Sequence, residues 1–216
     1  MRTLVLNGSP KGDDSVTMQY VRYVQRRFPE HEVEVVNAAQ LARALEAKEE
    51  RLRTVIEAVE RADLVLWAFP VYIMLVCSQY KRFIEVVYES ELAQALSGKY
   101  AATLSTSIKF HDNLAHSYIR GVCHDLGMRL LGSYSAAMHD LLHEAERQRL
   151  ESFFHGLCLA VEERRPAPVL STPERKEQRR YVPDAAPRQL SLGGRRVVIL
   201  TDGRNEGDNL SRMVDR

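Results

Sequence analysis

The sequence predicts a three-layer α/β sandwich, in which helices cover both faces of a five-stranded parallel β-sheet. Short apolar segments alternate with longer amphipathic segments along residues 3–161, as expected for repeated strand–helix units. Three of the short segments are almost continuously apolar, which is typical of central strands that are buried on both faces. We expect right-handed crossovers between such strands.

The five predicted strands are rich in β-branched or aliphatic residues and are bounded by turn residues. They comprise residues 3–7, 32–37, 63–69, 99–107 and 129–135. The first, third and fourth are the apolar runs TLVLN, DLVLWAF and KYAATLSTS. Because these three leave no polar face for solvent, we expect them in the interior of the sheet.

Amphipathic segments between and after the strands predict helices whose apolar faces belong to the core. One apolar face comprises Leu41, Leu45, Leu52, Val55, Ile56 and Val59. The face of the last predicted helix comprises Leu150, Phe153, Phe154, Leu157, Cys158 and Val161. Both faces recur with the 3.6-residue period of an α-helix, so we assign them to packing and not to a site.

Composition and charge are those of an ordinary globular protein. The 216 residues are 45% hydrophobic and 27% charged, with a formal net charge of +1. So balanced a charge argues against a nucleic-acid partner and against a strongly acidic electron carrier. No signal peptide precedes the first strand, and no apolar run reaches the ~18 residues of a membrane span. We therefore expect a cytoplasmic protein without a membrane segment.

Cysteines and histidines give no indication of a metal site. Cys77, Cys123 and Cys158 are widely spaced and form no Cys-x-x-Cys pair, so we expect reduced thiols and neither a zinc nor an iron–sulfur site. Six of the seven histidines lie between residues 111 and 155. His139 and His143 are four residues apart, but the residues between them do not match a zinc-protease motif.

The chain changes character after residue 163. Five of the eight prolines lie between residues 166 and 187, together with the basic run ERKEQRR. This composition predicts a compact domain over residues 1–165 and an extended arm over residues 166–196. The arm also carries spaced apolar residues, so we expect it to lie across the second subunit of a homodimer, close to the functional sites. These residues are Leu170, Tyr181, Val182, Leu190 and Leu192.

The last segment, residues 197–216, has the pattern of a strand followed by a turn. At an offset of 195 its Gly203, Gly207 and Asp208 repeat Gly8, Gly12 and Asp13. Two interpretations are open: a chance similarity between two strand–turn–helix starts, or the start of a truncated second unit. In either case we expect the apolar run VVIL to pair as a strand, because an unpaired strand of this kind favours aggregation.

The loop after the first strand has the composition of an anion site. It holds Gly8, Ser9, Lys11, Gly12, Ser15 and Thr17. A parallel strand delivers such a loop to the N-terminus of the next helix, where unpaired N–H groups and a partial positive charge favour a phosphate. Capping of the helix by Ser15 or Asp14 would explain only one or two of these residues. No G-x-G-x-x-G or G-x-x-x-x-G-K-[ST] motif is present.

Three segments resemble flavodoxin-like NADPH-dependent FMN reductases and quinone reductases. NGSPKGDDSVT (residues 7–17) is similar to the phosphate loop N-G-S-P-[RK]-x-x-x-S-N-T of that family. FPVYIMLVCSQYKRFIE (residues 69–85) resembles its second FMN loop, and LSGKYAATLSTS (residues 96–107) resembles its fourth strand. The resemblance covers about residues 3–160.

The resemblance implies a flavodoxin-like sheet of strand order 2-1-3-4-5, with FMN at its carboxyl edge beside the first and third strands. The residues implied to hold the FMN phosphate are Ser9, Lys11, Ser15, Val16 and Thr17. Those implied to run along the isoalloxazine edge through their backbone are Pro70, Val71, Tyr72 and Ile73. Those implied to lie against the other side of the ring are Ser105, Thr106 and Ser107.

The chain departs from the family pattern at several positions. Val16 replaces an asparagine, which removes one amide donor, and Asp13 and Asp14 place negative charge near a phosphate unless they turn away. Ile73-Met74 replaces Trp-Gly, and the missing glycine should affect the backbone beside the ring. Cys77 alone cannot form the cysteine cluster of the iron–sulfur members.

We predict an FMN-dependent oxidoreductase that passes electrons from NADH or NADPH to a quinone, a free flavin or another small acceptor. The cofactor supplies the chemistry, so no catalytic acid or base of the protein is required. His111 and Asp112 follow the fourth strand and either act near the nicotinamide or substrate or are solvated loop residues. The basic run ERKEQRR either attracts the 2′-phosphate of NADPH or a partner's acidic face, or is a solvated stretch. Tyr72 either packs beside the flavin or anchors its loop. Two alternatives are a flavodoxin-type electron carrier and a non-catalytic flavodoxin-like interaction module that has lost FMN.

Overall fold

The computed structural model describes residues 1–47, 49–108 and 111–168, and four isolated positions at 182, 193, 196 and 198. Its strands are β1 (Arg2–Asn7), β2 (Glu32–Val36), β3 (Leu64–Pro70), β4 (Tyr100–Ser107) and β5 (Arg129–Ala137). Its helices are α1 (Val16–Arg27), α2 (Ala38–Ala47), α3 (Glu49–Arg61), α4 (Ser78–Tyr88), α5 (Leu92–Leu96), α6 (Asp112–Asp125) and α7 (Glu144–Glu162). Short 3₁₀ turns precede α1 and α7.

The five strands form one parallel sheet of order β2-β1-β3-β4-β5, which confirms the predicted fold class. The order reverses at β1, because the chain goes from β1 to β2 on one side and then returns to β3 on the other. Val5 of β1 lies between Val35 of β2 and Leu66 of β3. All five strands therefore end at the same edge, and a crevice forms between the loops that leave β1 and β3 in opposite directions.

Two apolar cores flank the sheet. On one face, α2 to α6 pack against β1, β3 and β4, around the fully buried rings of Trp67, Phe69, Tyr80 and Phe83. On the other face, α1 and α7 pack against the sheet through residues such as Met18 and Phe154. Because β3 contributes to both cores, all seven of its residues are buried, as its uninterrupted apolar run predicted.

Each predicted strand begins and ends within two residues of the observed strand. The amphipathic segment over residues 41–59 falls on two helices, α2 and α3. The three cysteines are free thiols. Within the described residues, no helix is long and apolar enough to cross a membrane. The arm over residues 166–196 and the segment over residues 197–216 lie almost entirely outside the described residues, so their proposed roles remain predictions.

Candidate functional site

A cavity of about 220 Å³ opens at the carboxyl edge of the sheet, between the loops that follow β1, β3 and β4. One side is formed by the phosphate loop, which we define as residues 8–17. The opposite side, the β4 wall, is formed by Thr106, Ser107 and Ile108 together with Met138 after β5. Residues 70–72 after β3 complete the lining.

The phosphate loop begins with a glycine because the backbone there lies against an aromatic ring. A Cβ atom on Gly8 would lie 2.5 Å from Cδ1 of Tyr80, which is far inside van der Waals contact. The Tyr80 ring cannot readily retreat, since it is fully buried and its hydroxyl donates to the carbonyl of Leu6 at 2.7 Å. The Gly8 N–H in turn donates to the carbonyl of Ala68 on β3. Only glycine permits this close approach.

Two asparagines that the sequence analysis did not select give the loop its shape. The Asn7 side-chain oxygen accepts from the backbone N–H of Ser9 at 3.0 Å, and its amide donates to the side-chain oxygen of Asn37 at 2.8 Å. The hydroxyl of Ser9, which is fully buried, accepts from the backbone N–H of Lys11. Asn7 ends β1 and Asn37 follows β2, so carboxamides at the ends of two predicted neighbouring strands were the signal that could have identified them.

The loop ends at the N-terminus of α1. Ser15 caps this helix, because its hydroxyl accepts from the backbone N–H of Met18 at 3.3 Å. The backbone N–H groups of Val16 and Thr17 donate to no described residue. They are the unpaired donors that every helix start presents, and here they lie at the cavity. The local geometry therefore suits an anion.

The charged residues of the loop differ in orientation. Asp13 turns away from the cavity: its oxygens lie 3.9 Å from Arg22 Nη2 and 3.4 Å from Asn37 Nδ2. Asp14, by contrast, lines the cavity, so only Asp13 meets the condition that the acids turn away from a phosphate. Lys11 also lines the cavity and forms no ion pair with the described residues. One positive and one negative side chain thus share this wall.

The loop after β3 and the β4 wall meet across a short bridge. The backbone N–H of Val71 donates to the carbonyl of Thr106 at 2.9 Å, which joins the β3 loop to the end of β4. The hydroxyls of Thr17 and Thr106 lie 2.6 Å apart, so a hydrogen bond connects the phosphate loop with the β4 wall at the base of the cavity. Tyr72 is 57% exposed beside it.

Ten of the twelve predicted cofactor-binding residues line this cavity, and two do not. Those that do are Ser9, Lys11, Ser15, Val16, Thr17, Pro70, Val71, Tyr72, Thr106 and Ser107. Ile73 is 78% exposed outside the lining. Ser105 shares a face of β4 with Ser107 but lies two residues further from the end of the strand, and its hydroxyl lies 2.9 Å from His116 Nε2. A cofactor contact by any of the twelve stays a prediction.

The missing family glycine has a visible structural consequence. Met74, which stands at its position, has φ of 60°, in the left-handed region that glycine adopts freely and other residues avoid. The turn there is tight, because the backbone N–H of Leu75 donates to the carbonyl of Ile73 at 2.6 Å. The chain thus keeps the backbone shape of a glycine turn and accepts the strain of a side chain at that position.

Behind the β4 wall lies a buried polar cluster. His116 of α6 contacts two hydroxyls, that of Thr103 at Nδ1 (2.7 Å) and that of Ser105 at Nε2. Burial lowers the pKa of His116 to about 4, so its imidazole is neutral near pH 7. Asp112, at the start of α6, accepts from the Ser107 hydroxyl. Among the described residues, no group of histidine, cysteine or acidic side chains could hold a metal ion.

The cavity opens onto an apolar rim. Within the described part of residues 1–168, every exposed large hydrophobic side chain lies on the loops after β3, β4 and β5 or in the first turn of α6. The rim comprises Tyr72, Ile73, Met74, Leu75, Ile108, Leu114, Met138 and Leu142. Three of them, Tyr72, Ile108 and Met138, line the cavity, and all eight lie on segments at the carboxyl edge of the sheet. Exposed apolar side chains grouped at one edge favour a contact surface there, because scattered single side chains would be the norm.

A larger cleft of about 690 Å³ lies elsewhere, between α2 and α4. It is lined by residues such as Gln40, Gln79 and Arg82 and includes only Pro10 of the phosphate loop. It has no contribution from the strand ends, where parallel α/β sheets bind their ligands. We therefore assign the candidate site to the smaller cavity at the edge of the sheet.

Comparison with known proteins agrees with this architecture. The family model for NADPH-dependent FMN reductases matches residues 1–141. Among solved structures, an NADH:FMN oxidoreductase, EMOB, in its apo form is similar, with a TM-score of 0.60 and 18% identity over 82% of this chain and 96% of that one. FerB, an NAD(P)H:acceptor oxidoreductase from Paracoccus denitrificans, gives a TM-score of 0.60 and 20% identity over 75% and 97%.

An FMN-dependent NADH-azoreductase from Bacillus anthracis, solved in complex with FMN, is also similar, with a TM-score of 0.50 and 13% identity over 74% of this chain and 100% of that one. At these identities the structural neighbours establish the fold and not the substrate. No curated protein sequence matches this chain.

Proposed function

Because the chain belongs to the NADPH-dependent FMN reductase family of oxidoreductases, we propose that it binds FMN in the edge cavity and passes electrons from NADH or NADPH to a quinone, a free flavin or another small acceptor. One observation carries the proposal: the phosphate loop and the β4 wall meet around a cavity at the carboxyl edge, beside the topological switch point of the sheet.

The phosphate loop fits a phosphate. The free N–H groups of Val16 and Thr17, the hydroxyl of Thr17 and the ammonium of Lys11 all belong to residues that line the cavity. Backbone amides at a helix N-terminus together with one cation form a common anion site. Val16 in place of asparagine removes one side-chain donor but leaves its backbone N–H available. Asp14 opposes binding through its charge, so the fit is good but not optimal.

The rest of the cavity fits a planar ring system. Pro70, Val71 and Tyr72 line one side of the cavity, and Thr106 and Ser107 line the opposite side. When bound, FMN would supply the chemistry of accepting electrons from a nicotinamide and donating them to an acceptor. The chain would hold the cofactor, orient it and limit its contact with water.

The apolar rim supports a homodimer as the working form. The cavity volume of about 220 Å³ is below the ~300–1,000 Å³ typical of ligand pockets, so part of a bound flavin would lie against the rim. A second subunit that packs on the rim would cover both the flavin and the exposed side chains. Light scattering of the full-length protein, compared with a chain truncated after residue 165, tests this proposal. A monomeric full-length protein would contradict it.

The visible spectrum of the purified full-length protein tests the function directly. A bound flavin gives a yellow protein, and a protein that stays colourless after addition of FMN would favour the non-catalytic module. Anaerobic mixing with NADPH, and separately with NADH, should bleach the flavin without any partner protein. Failure of both nicotinamides to bleach a flavin that dithionite reduces would favour the flavodoxin-type electron carrier.

A further inference from the structure

A chain of hydrogen bonds leaves the phosphate loop, passes through two side chains outside it and returns to it. The backbone N–H of Ser9 donates to Oδ1 of Asn7 at 3.0 Å, and Nδ2 of Asn7 donates to Oδ1 of Asn37 at 2.8 Å. Nδ2 of Asn37 then donates to Oδ2 of Asp13 at 3.4 Å. Two positions of one loop are therefore linked through the residues that end β1 and follow β2.

The direction of this chain is fixed at both ends. A backbone N–H only donates, so the Asn7 oxygen must face Ser9 and the Asn7 amide must face Asn37. A carboxylate only accepts, so the Asn37 amide must face Asp13. The backbone of Asn37 is also held in place, because its carbonyl accepts from two backbone N–H groups in the first turn of α2.

This arrangement decides which acidic side chain faces the cavity. Asp13 and Asp14 belong to the 3₁₀ turn Gly12–Asp14, in which successive residues lie about 120° apart around the axis. Asp14 lines the cavity, whereas Asp13 faces Asn37. A rotation of this short turn would bring the Asp13 carboxylate toward the cavity. The other contact of Asp13, with Arg22 at 3.9 Å, joins two exposed side chains and restrains the turn little.

The first turn of α2 also contacts the backbone of the phosphate loop. Nε2 of Gln40 donates to the carbonyl of Pro10 at 3.2 Å, and a Cβ atom on Gly12 would lie 2.7 Å from the same nitrogen. Gln40 therefore holds the backbone of the loop, while Asn37 holds the charged side chain of Asp13. The loop is shaped from outside by the start of α2 as well as by its own hydrogen bonds.

We propose that Asn37 is a positioning residue that keeps the Asp13 carboxylate out of the edge cavity and so keeps the phosphate loop receptive to the FMN phosphate. This inference rests on the proposed binding of FMN in that cavity. With Asp13 held outside, Lys11 and Asp14 give the loop one positive and one negative side chain at the cavity. With Asp13 turned inward there would be two negative side chains, and a phosphate would be repelled.

A charge exchange in the full-length protein tests the proposal, with FMN affinity measured by fluorescence titration at low salt. Asn37→Asp keeps an oxygen that accepts from Asn7 but replaces the amide that faces Asp13 by a second carboxylate oxygen. Because the two carboxylates repel each other, Asp13 should leave its position, and FMN binding should weaken by about three- to tenfold. Adding Asp13→Asn restores an amide–carboxylate pair and the wild-type net charge, and it should return the affinity to within about twofold of wild type.

Asp13→Asn alone is the matched control, and it should change FMN affinity by less than about twofold, because the Asp13 carboxylate already lies outside the cavity. Salt gives a second measurement: screening shortens to about 3 Å at 1 M salt, so most of the loss in Asn37→Asp should disappear there. Denaturant unfolding of each variant without FMN separates loss of fold from loss of affinity. If Asn37→Asp does not fold, Asn37→Ala gives the same test, and its loss of affinity should be smaller when Asp13→Asn is also present.

A double variant that binds FMN as weakly as Asn37→Asp, or a loss that persists in full at 1 M salt, would overturn the positioning role. Removal of the Asp13 charge repairs an electrostatic effect but not general damage to the loop. Wild-type protein that binds FMN alongside unaffected Asn37 variants would refute this inference alone, whereas wild-type protein that binds no FMN would refute the proposed function itself.

Discussion

The two walls of the edge cavity are built in different ways. The phosphate loop is shaped by residues close together in sequence: Asn7 bonds to Ser9, Ser9 to Lys11, and Ser15 to Met18. The β4 wall depends on partners from distant parts of the chain, since Ser107 and Ser135 are brought together by Asp112. Local hydrogen bonds leave a motif in the sequence, whereas tertiary ones leave only single polar residues in apolar surroundings.

The two walls also differ in charge. The phosphate loop carries exposed side chains of both charges, namely Lys11, Asp13 and Asp14. Its donors toward the cavity are backbone amides. The β4 wall is supported by groups that are almost completely buried, among them a neutral imidazole. We therefore expect the β4 wall to respond strongly to acid and the phosphate loop to respond to steric and ionic changes. Four predictions follow this distinction, in order of decreasing effect.

Acid should destabilise the β4 wall through His116. Its pKa is about 4 in the folded protein and ~6.5 in an unfolded chain, so the unfolded state takes up the proton first. This contribution to stability is complete above pH 6.5 and is lost as the pH falls toward 4, by about 2–3 kcal/mol at pH 4.5.

Denaturant unfolding at pH 7 and pH 4.5 measures this loss. His116→Gln provides the control, because a carboxamide can still bond to the hydroxyls of Thr103 and Ser105 but does not titrate in this range. The loss in the free energy of unfolding between pH 7 and pH 4.5 should be smaller in His116→Gln than in wild type, by most of that 2–3 kcal/mol, which is about the His116 contribution. Equal differences in both proteins would show that His116 is not the acid-sensitive group.

A methyl group at Gly8 should disrupt the phosphate loop. Gly8→Ala places a Cβ atom 2.5 Å from the Tyr80 ring, so either the loop or the ring must move, and the free energy of unfolding should fall by roughly 1–3 kcal/mol. FMN binding should weaken as well. Gly121→Ala in α6 is the control, since a Cβ there meets no atom within 4 Å, and it should stabilise the protein by about 0.5–1 kcal/mol. A Gly8→Ala protein as stable as wild type would contradict the close packing.

These differences explain how much of the site could be predicted from sequence. The strands and the phosphate loop could be predicted, because apolar runs and a helix start with its hydroxyls are local patterns. Ser105 does not line the cavity because it lies two residues before the end of β4 and its hydroxyl meets His116, a partner that only the packing of α6 supplies. His116 acquires its role only when α6 packs against β4, so no spacing rule identifies it, whereas Asn7 and Asn37 could have been selected from their positions at the ends of two neighbouring strands. Met74 was visible only as a missing glycine, and its positive φ required the backbone.

Loss of the hydroxyl that joins the two walls should weaken cofactor binding. Thr17→Val keeps the shape of the side chain but removes the oxygen that lies 2.6 Å from Thr106 Oγ1. If this hydroxyl also bonds to the FMN phosphate, its loss should weaken FMN binding by about tenfold or more, the effect of a hydrogen bond to a charged group. Thr17→Ser, which keeps the hydroxyl, should bind nearly as well as wild type in the same titration. Unchanged affinity in Thr17→Val would remove Thr17 from the phosphate site.

The smallest predicted effect separates the two acidic residues of the phosphate loop. Asp14 lines the cavity, so its carboxylate repels a phosphate there, and Asp14→Asn should tighten FMN binding by about two- to fivefold at low salt. Asp13 faces Arg22 and Asn37 instead, so the matched variant Asp13→Asn should change the affinity by less than about twofold. Both side chains are exposed, and the two substitutions remove the same charge at adjacent positions. A difference between them therefore reports orientation and not net charge.

Added salt should reduce the gain in FMN affinity from Asp14→Asn. Electrostatic screening shortens to about 3 Å at 1 M salt, so the advantage of Asp14→Asn should shrink as salt is added. Persistence of the full gain at 1 M salt would indicate a change in loop structure instead of lost repulsion. Equal gains from both substitutions at low salt would indicate that Asp13 also reaches the phosphate, and the assigned orientation of the loop would then be wrong.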